Sequence, residues 1–169
     1  MTVVKEPDGD RLEDLMRRYG DALVRMCCLY LHDAALAQDA AQDTFIKAWR
    51  NLGQFRGECD ERTWLMRIAI NTCRDMRRSR WTRHVDRRVT PEMLPEASAP
   101  FEERDEELTL AVMRLPPKQR EAVLLRYYQR MSLAQAAQAM GVTVSTVSRQ
   151  LGRALRSLRG ILEGGREHE

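Results

Sequence analysis

Aromatic residues make up only 6% of this 169-residue chain, while Ala, Leu, Met and Arg are plentiful, a balance that leans helical. No strand pattern is present, and no apolar run approaches ~20 residues, which excludes a transmembrane helix. The opening residues MTVVKEPDGD lack the charged start and apolar stretch of a signal peptide, so a cytoplasmic location is expected. There are three histidines, His32, His84 and His168, too scattered to build a catalytic constellation, and no glycine-rich phosphate loop. No catalytic residue, cofactor or small-molecule substrate is therefore expected. Four cysteines, Cys27, Cys28, Cys59 and Cys73, form no CxxC pair, and neighbours 27 and 28 point apart on a helix, which argues against a disulfide framework. Cys28 and His32 lie four apart but lack a second pair, so no metal site is expected.

What the chain does have is charge, at 31% of residues beside a hydrophobic fraction of 43%, the composition of a soluble folded protein. The formal net charge of +3 says little about partners, but its distribution says more. Residues 71–90 hold seven arginines against Asp75 and Asp86, and residues 92–107 hold seven acids against Arg104. Such a reversal predicts a basic face and a separate acidic segment.

Apolar positions recur every three or four residues from Asp10 to Trp81. Leu12, Leu15, Met16, Tyr19, Leu23, Met26 and Tyr30 make one stripe, with Gly20 a candidate bend. Asp33 is a candidate N-cap for a second helix with Leu36, Ala40, Ala41, Ile46, Trp49 and Leu52 inward. After the loop GQFRGECDE, a third helix starts near Glu61 with Leu65, Ile68, Ala69, Thr72, Cys73 and Met76 inward. Trp49 and Trp64 are expected in the core. The fold class is all-α: a three-helix bundle over 10–81, a flexible Pro-containing linker over 82–103, and a second small helical domain over 104–163.

The second domain starts with a stripe of Leu108, Ala111, Val112 and Leu115, then Pro116-Pro117, with Pro117 suited to a first helical turn. The helix KQREAVLLRYYQ follows. Ser132 and Gln135 predict a capping box, Gly141 a left-handed C-terminal turn, and Thr143 the cap of a last helix. Helix, short glycine turn, helix is the helix-turn-helix signature. In the last helix Val144, Val147, Leu151, Leu155, Leu158 and Leu162 form the expected buried stripe. The opposite side offers Ser145, Ser148, Arg149, Gly152, Arg153, Arg156 and Arg159. Short residues let the backbone approach DNA, and Arg149 and Arg153 can reach guanine edges in a major groove. On the third helix Arg67, Asn71, Arg74 and Arg78 share one outer stripe, flanked by Arg77 and Arg80. A run of arginines is ordinarily a solvated face; Asn71 is its odd member, because a short amide lowers helix propensity and suits base-edge reading.

Several long motifs, in order, resemble an extracytoplasmic-function (ECF) sigma factor of bacterial RNA polymerase over about residues 10–163. DAAQDTFIKAWRNLGQFRGE and RTWLMRIAINTCRD resemble region 2, and LPPKQREAVLLRYYQ with SLAQAAQAMGVTVSTVSRQLGRALRSLR resembles region 4. The resemblance implies an alternative sigma factor that binds core polymerase and directs initiation at −35 and −10 elements. It implies docking of Asp39, Gln42, Asp43 and Lys47 on a coiled coil of the largest polymerase subunit, with further contact to the flap region. It places the segment from Phe55 to Glu61, with Arg67 and Asn71, near a pocket for a base flipped from the −10 element, a step that costs a few kcal/mol. Arg74, Arg77, Arg78 and Arg80 then hold −10 phosphates. Ser148, Arg149, Gly152 and Arg153 map onto −35 readers, with Arg156 beside them. A cognate anti-sigma factor, often membrane-anchored in this family, is implied as a further partner. The halves are expected to move independently until a partner fixes them. Two other readings are a stand-alone helix-turn-helix repressor and, more remotely, a nucleic-acid enzyme.

Overall fold

The computed structural model describes residues 9–81 and 104–164. The expected linker, His84, His168 and most of the opening segment fall outside the described residues, as do the side chains of Arg80 and Trp81. Every regular element among the described residues is helical.

Helix α1, Gly9–Leu31, runs unbroken through Gly20. It stops at His32, whose φ of 57° leaves the right-handed helical region. Asp33 then caps α2, Ala34–Asn51, by accepting from the Leu36 amide at 3.0 Å. A 3₁₀ turn, Leu52–Gln54, leads into the loop before α3, Glu61–Trp81. Asp60 starts α3 by accepting from the Thr63 amide at 2.9 Å and the Thr63 hydroxyl at 2.6 Å. Burial pushes the Asp60 carboxyl up, but these bonds and one from Gln135 outweigh it and hold the carboxyl below its ordinary value.

In the second half, α4 is Arg104–Met113 and α5 is Pro117–Val123, with Pro117 in its first turn. The expected continuous helix widens into a π-turn over Leu124–Tyr128, where the Gln129 amide reaches back five residues to the Leu124 carbonyl at 2.9 Å. Ser132 and Gln135 form the expected capping box on α6, Leu133–Met140. Gly141 follows in the left-handed region at φ 70°, where a side chain would be strained. Thr143 accepts from the Thr146 amide at 3.2 Å and opens α7, Val144–Gly164.

Alanine sets how closely α2 packs. Ala37, Ala40, Ala41, Thr44, Phe45 and Ala48 are its buried residues, and such small side chains let neighbouring helices approach. That seam occupies one side of the helix only, and larger residues stand off it. Ile46 and Trp49, expected inward, are exposed, Trp49 by 42%, and so is Met16 across from them on α1. Trp64 is half-buried against Phe55, ring centroids 4.8 Å apart. In the second half Ala111, Val112 and Leu115 are buried as expected, whereas Leu108, Val144 and Leu155 are exposed. Ala154 takes the inward place assigned to Leu155, because it continues the stripe of Val147, Leu151 and Leu158.

The halves are packed together, contrary to the expectation of independent bodies. Gln129 Nε2 donates to the Ala22 carbonyl at 3.2 Å, and Gln135 Nε2 donates to Asp60 Oδ2 at 2.9 Å. Arg120 of α5, itself buried, donates to the carbonyls of Tyr30 and, at 2.8 Å, Leu115. Burial brings the Arg120 guanidinium down to about 10, still protonated at neutral pH.

Candidate nucleic-acid and protein interfaces

Three surfaces carry the candidate residues. The first is the start of α7. Ser148, Arg149, Arg153 and Arg156 are exposed, while Val147, Gln150, Leu151, Ala154 and Leu158 face the core. Gly152 is half-buried, and a Cβ added there would meet nothing within 4 Å, so packing alone does not require glycine. Rigidity comes from the caps: the two bonds of the α6 capping box, 2.9 and 3.1 Å, and the Thr143 cap of α7 fix the turn between the helices.

The second surface is α3. Arg67, Asn71, Arg77 and Arg78 are exposed. Arg74 does not share their outer stripe: it turns into the contact with the second half, where Nε and Nη2 donate to Glu121 at 2.9 and 2.7 Å. The reason lies in the apolar residues. Ile70 and Met66, one and two turns ahead of Arg74, are fully buried, so this side of α3 also has a neighbour, and α6 supplies it. The loop ahead of α3 is pinned by charge. Glu61 accepts from Arg11 at 2.8 and 3.0 Å and from Arg18 at 2.7 Å, and the Arg11 guanidinium lies 5.7 Å from the Phe55 ring centre.

The third surface is α2. Asp39, Gln42 and Asp43 are exposed. Lys47, expected alongside them, is half-buried and donates to the Thr72 hydroxyl of α3 at 3.0 Å, so its ammonium bridges α2 to α3. Sequence reasoning missed what lies beside Gln42. An apolar groove of about 500 Å³ runs between α1 and α2, with Met16, Val24, Phe45, Ile46 and Trp49 among its lining. Ile46 and Trp49 do fall to one side of the alanine seam on a helical projection, a signal that could have marked them as rim.

Residues 15–83 match the model of sigma-70 region 2, and residues 105–158 match that of sigma-70 region 4. The RNA polymerase sigma-H factor of Pseudomonas aeruginosa is 33% identical, the match covering 89% of this chain and 86% of the relative. The chain belongs to the ECF sigma factors. The ECF RNA polymerase sigma factor SigW of Bacillus subtilis is 28% identical, with 92% and 91% covered. Among solved structures, CnrH in complex with the cytosolic domain of CnrY superposes with a TM-score of 0.70 at 26% identity, over 93% of this chain and 90% of that one. The sigma factor RpoE of Bartonella quintana, solved with the anti-sigma factor NepR, superposes at 0.78 with 23% identity over 92% and 98%, which speaks for the fold.

An ECF sigma factor joins core RNA polymerase and directs it to promoters through −35 and −10 elements. In this sigma factor the first matched stretch contains α2, α3 and most of α1, and the second contains most of α4, all of α5 and α6, and α7 as far as Leu158. Among its described residues, no helix is long and apolar enough to cross a membrane. Its bundle holds one thiol pair: Cys73 Sγ donates to Cys27 Sγ at 3.5 Å, and that bond with burial pushes the Cys27 thiol well above its ordinary range.

Proposed function

We propose that this sigma factor divides promoter recognition between its halves. In this reading α7 reads the −35 element, α3 and its preceding loop hold and open the −10 element, and the α2 face docks on polymerase. The observation that carries the proposal is the one-sidedness of α7: Ser148, Arg149, Arg153 and Arg156 stand exposed opposite a buried stripe, behind a scaffold helix capped at both ends. Arg149 and Arg153, one turn apart, can address neighbouring base edges, while Arg156 meets phosphate. On α3, Arg67 and Asn71 are assigned to the flipped base, and Arg77, Arg78 and Arg80 to phosphates. The apolar groove is lined by Gln42 of α2 and by Asp21 of α1, while Asp39 and Asp43 stand exposed on α2 outside that lining, so a basic amphipathic helix would satisfy both charge and apolar surface. That combination fits the polymerase coiled coil. Because CnrH was solved with the cytosolic domain of CnrY, and RpoE with the anti-sigma factor NepR, an anti-sigma partner is assigned here too. The factor works where polymerase and promoter are, in the cytoplasm.

Reconstitution with core polymerase on promoter DNA tests this reading. The factor should give specific transcripts. Asp43→Arg should lose polymerase binding, whereas Asn71→Ala should keep it and melt the promoter poorly. Normal melting by Asn71→Ala removes the pocket assignment. Duplex binding without any transcript would instead identify a repressor.

A further inference from the structure

Arg74 sits at a crossing of two roles. It belongs to the basic run of α3, yet in the folded chain its Nε and Nη2 are engaged by the second half, while Nη1 donates to Asn71 Oδ1 of the same helix at 3.4 Å. Both carboxylate oxygens of Glu121 accept from it, and Nη2 also donates to the Met140 carbonyl at 3.0 Å, at the C-terminal end of α6. Glu121 is only 2% exposed, and its other partner is the Tyr30 hydroxyl of α1 at 2.7 Å. The bond to Glu121 raises the Arg74 pKa, and burial followed by the Glu121 charge raises that of Tyr30.

A carboxylate and a phosphate offer the guanidinium fork the same paired acceptors. One fork cannot serve both. The surroundings make the choice a conformational one. Met66 and Ile70 lie on the Arg74 side of α3 and are fully buried, and the Gln129 to Ala22 and Gln135 to Asp60 bonds flank the contact. Freeing Arg74 therefore means lifting α5 and α6 away from α3. The ion pair is no weld, since the cost of desolvating two charges offsets much of their attraction. Its stronger effect is to set how the halves register.

We propose that Glu121 is an intramolecular stand-in for a DNA phosphate, so that the second half closes over α3 and keeps its −10 surface incomplete until the halves part. This rests on the reading of α3 as the −10 surface. Polymerase binding and promoter engagement then act in the same direction: each favours the open arrangement, and the promoter strand takes the acceptor position that Glu121 leaves. The exposed Arg67, Asn71, Arg77 and Arg78 supply a first foothold on DNA before the latch opens.

The test uses the full chain without polymerase and two measurements: the radius of gyration by small-angle X-ray scattering, and affinity for a fluorescent random-sequence single-stranded DNA of about 12 nucleotides at fixed salt. Glu121→Gln should enlarge the radius and tighten DNA binding roughly tenfold, by raising the population of the binding-competent state. Arg74→Ala should enlarge the radius without that gain, because the freed fork is missing. Exchanging the charges, Arg74→Glu with Glu121→Arg, should restore the wild-type radius. Gln129→Glu, which sets a carboxylate against the Ala22 carbonyl, opens the same contact from another point and should also tighten DNA binding. Unchanged radius and affinity in both Glu121→Gln and Gln129→Glu overturn the latch. An enlarged radius with no gain in affinity overturns the competition with DNA. Failure of the α3 reading is visible separately, because Arg67→Ala lies outside the Arg74–Glu121 pair and its partner Asn71: it would leave both the radius and promoter melting by the holoenzyme at wild type.

Discussion

Helices α3 and α7 have the same length, 21 residues, and both carry rows of arginine, yet the fold treats them differently. On α7 the buried residues are Val147, Gln150, Leu151, Ala154 and Leu158, a single stripe. On α3 they are Thr63, Leu65, Met66, Ala69, Ile70, Thr72 and Cys73, which wrap more than one side. One helix is a blade with a free edge; the other is a spine between two bodies. Arginine content does not distinguish them. The doubling of buried positions does: Leu65-Met66, Ala69-Ile70 and Thr72-Cys73 are adjacent pairs spaced by four and three, and each pair broadens the stripe beyond what one neighbour can cover. A basic helix with such doubled pairs is better read as an internal contact than as a fully open nucleic-acid face.

The largest effect that could break this comparison comes from shortening one apolar residue on each helix. Ile70 is fully buried, so Ile70→Ala should lower unfolding free energy by about 2–5 kcal/mol in urea titration. Leu155 is exposed despite lying on a strongly apolar helix, so Leu155→Ala should stay within about 0.5 kcal/mol. Equal losses would mean that the two helices are buried alike. A middle-sized effect sharpens the contrast in function. Arg149→Ala or Arg153→Ala should leave unfolding unchanged and cost about 1–3 kcal/mol of discrimination between the −35 element and a mutated one, measured by holoenzyme binding. A uniform loss on both sequences would make these arginines phosphate contacts instead.

Local chemistry made much of this legible in the residues alone. Asp33, the Ser132–Gln135 box, Gly141 and Thr143 act within a few positions of the chain, and their bonds are where spacing predicts them. Helical periodicity also sorted α7's exposed polar face correctly. It failed where a third partner intervenes. Trp49 is apolar, but on the helical projection it lies off the stripe of buried alanines, at the rim of the groove between α1 and α2. Arg74 and Lys47 fit an outward pattern, but their partners, Glu121 and Thr72, lie 47 and 25 residues away in sequence. The apolar groove was hidden for the same reason, since its two walls come from separate helices.

The smallest expected effect separates packing from DNA approach at one atom. Gly152 lies mid-helix on α7, and a Cβ there meets nothing within 4 Å, so no steric cost opposes alanine. Glycine in a helix interior is worse than alanine by roughly 0.5–1 kcal/mol, because the unfolded chain has more freedom to lose. Gly152→Ala should therefore raise the thermal midpoint slightly. If glycine is there to let the backbone approach the −35 element, the same variant should bind that element more weakly despite being more stable. A more stable variant with unchanged −35 binding would show that the DNA stands clear of this turn, and would confine readout to Ser148, Arg149 and Arg153. On α3 no such separation is available, because the positions facing outward there border residues that also hold the halves together.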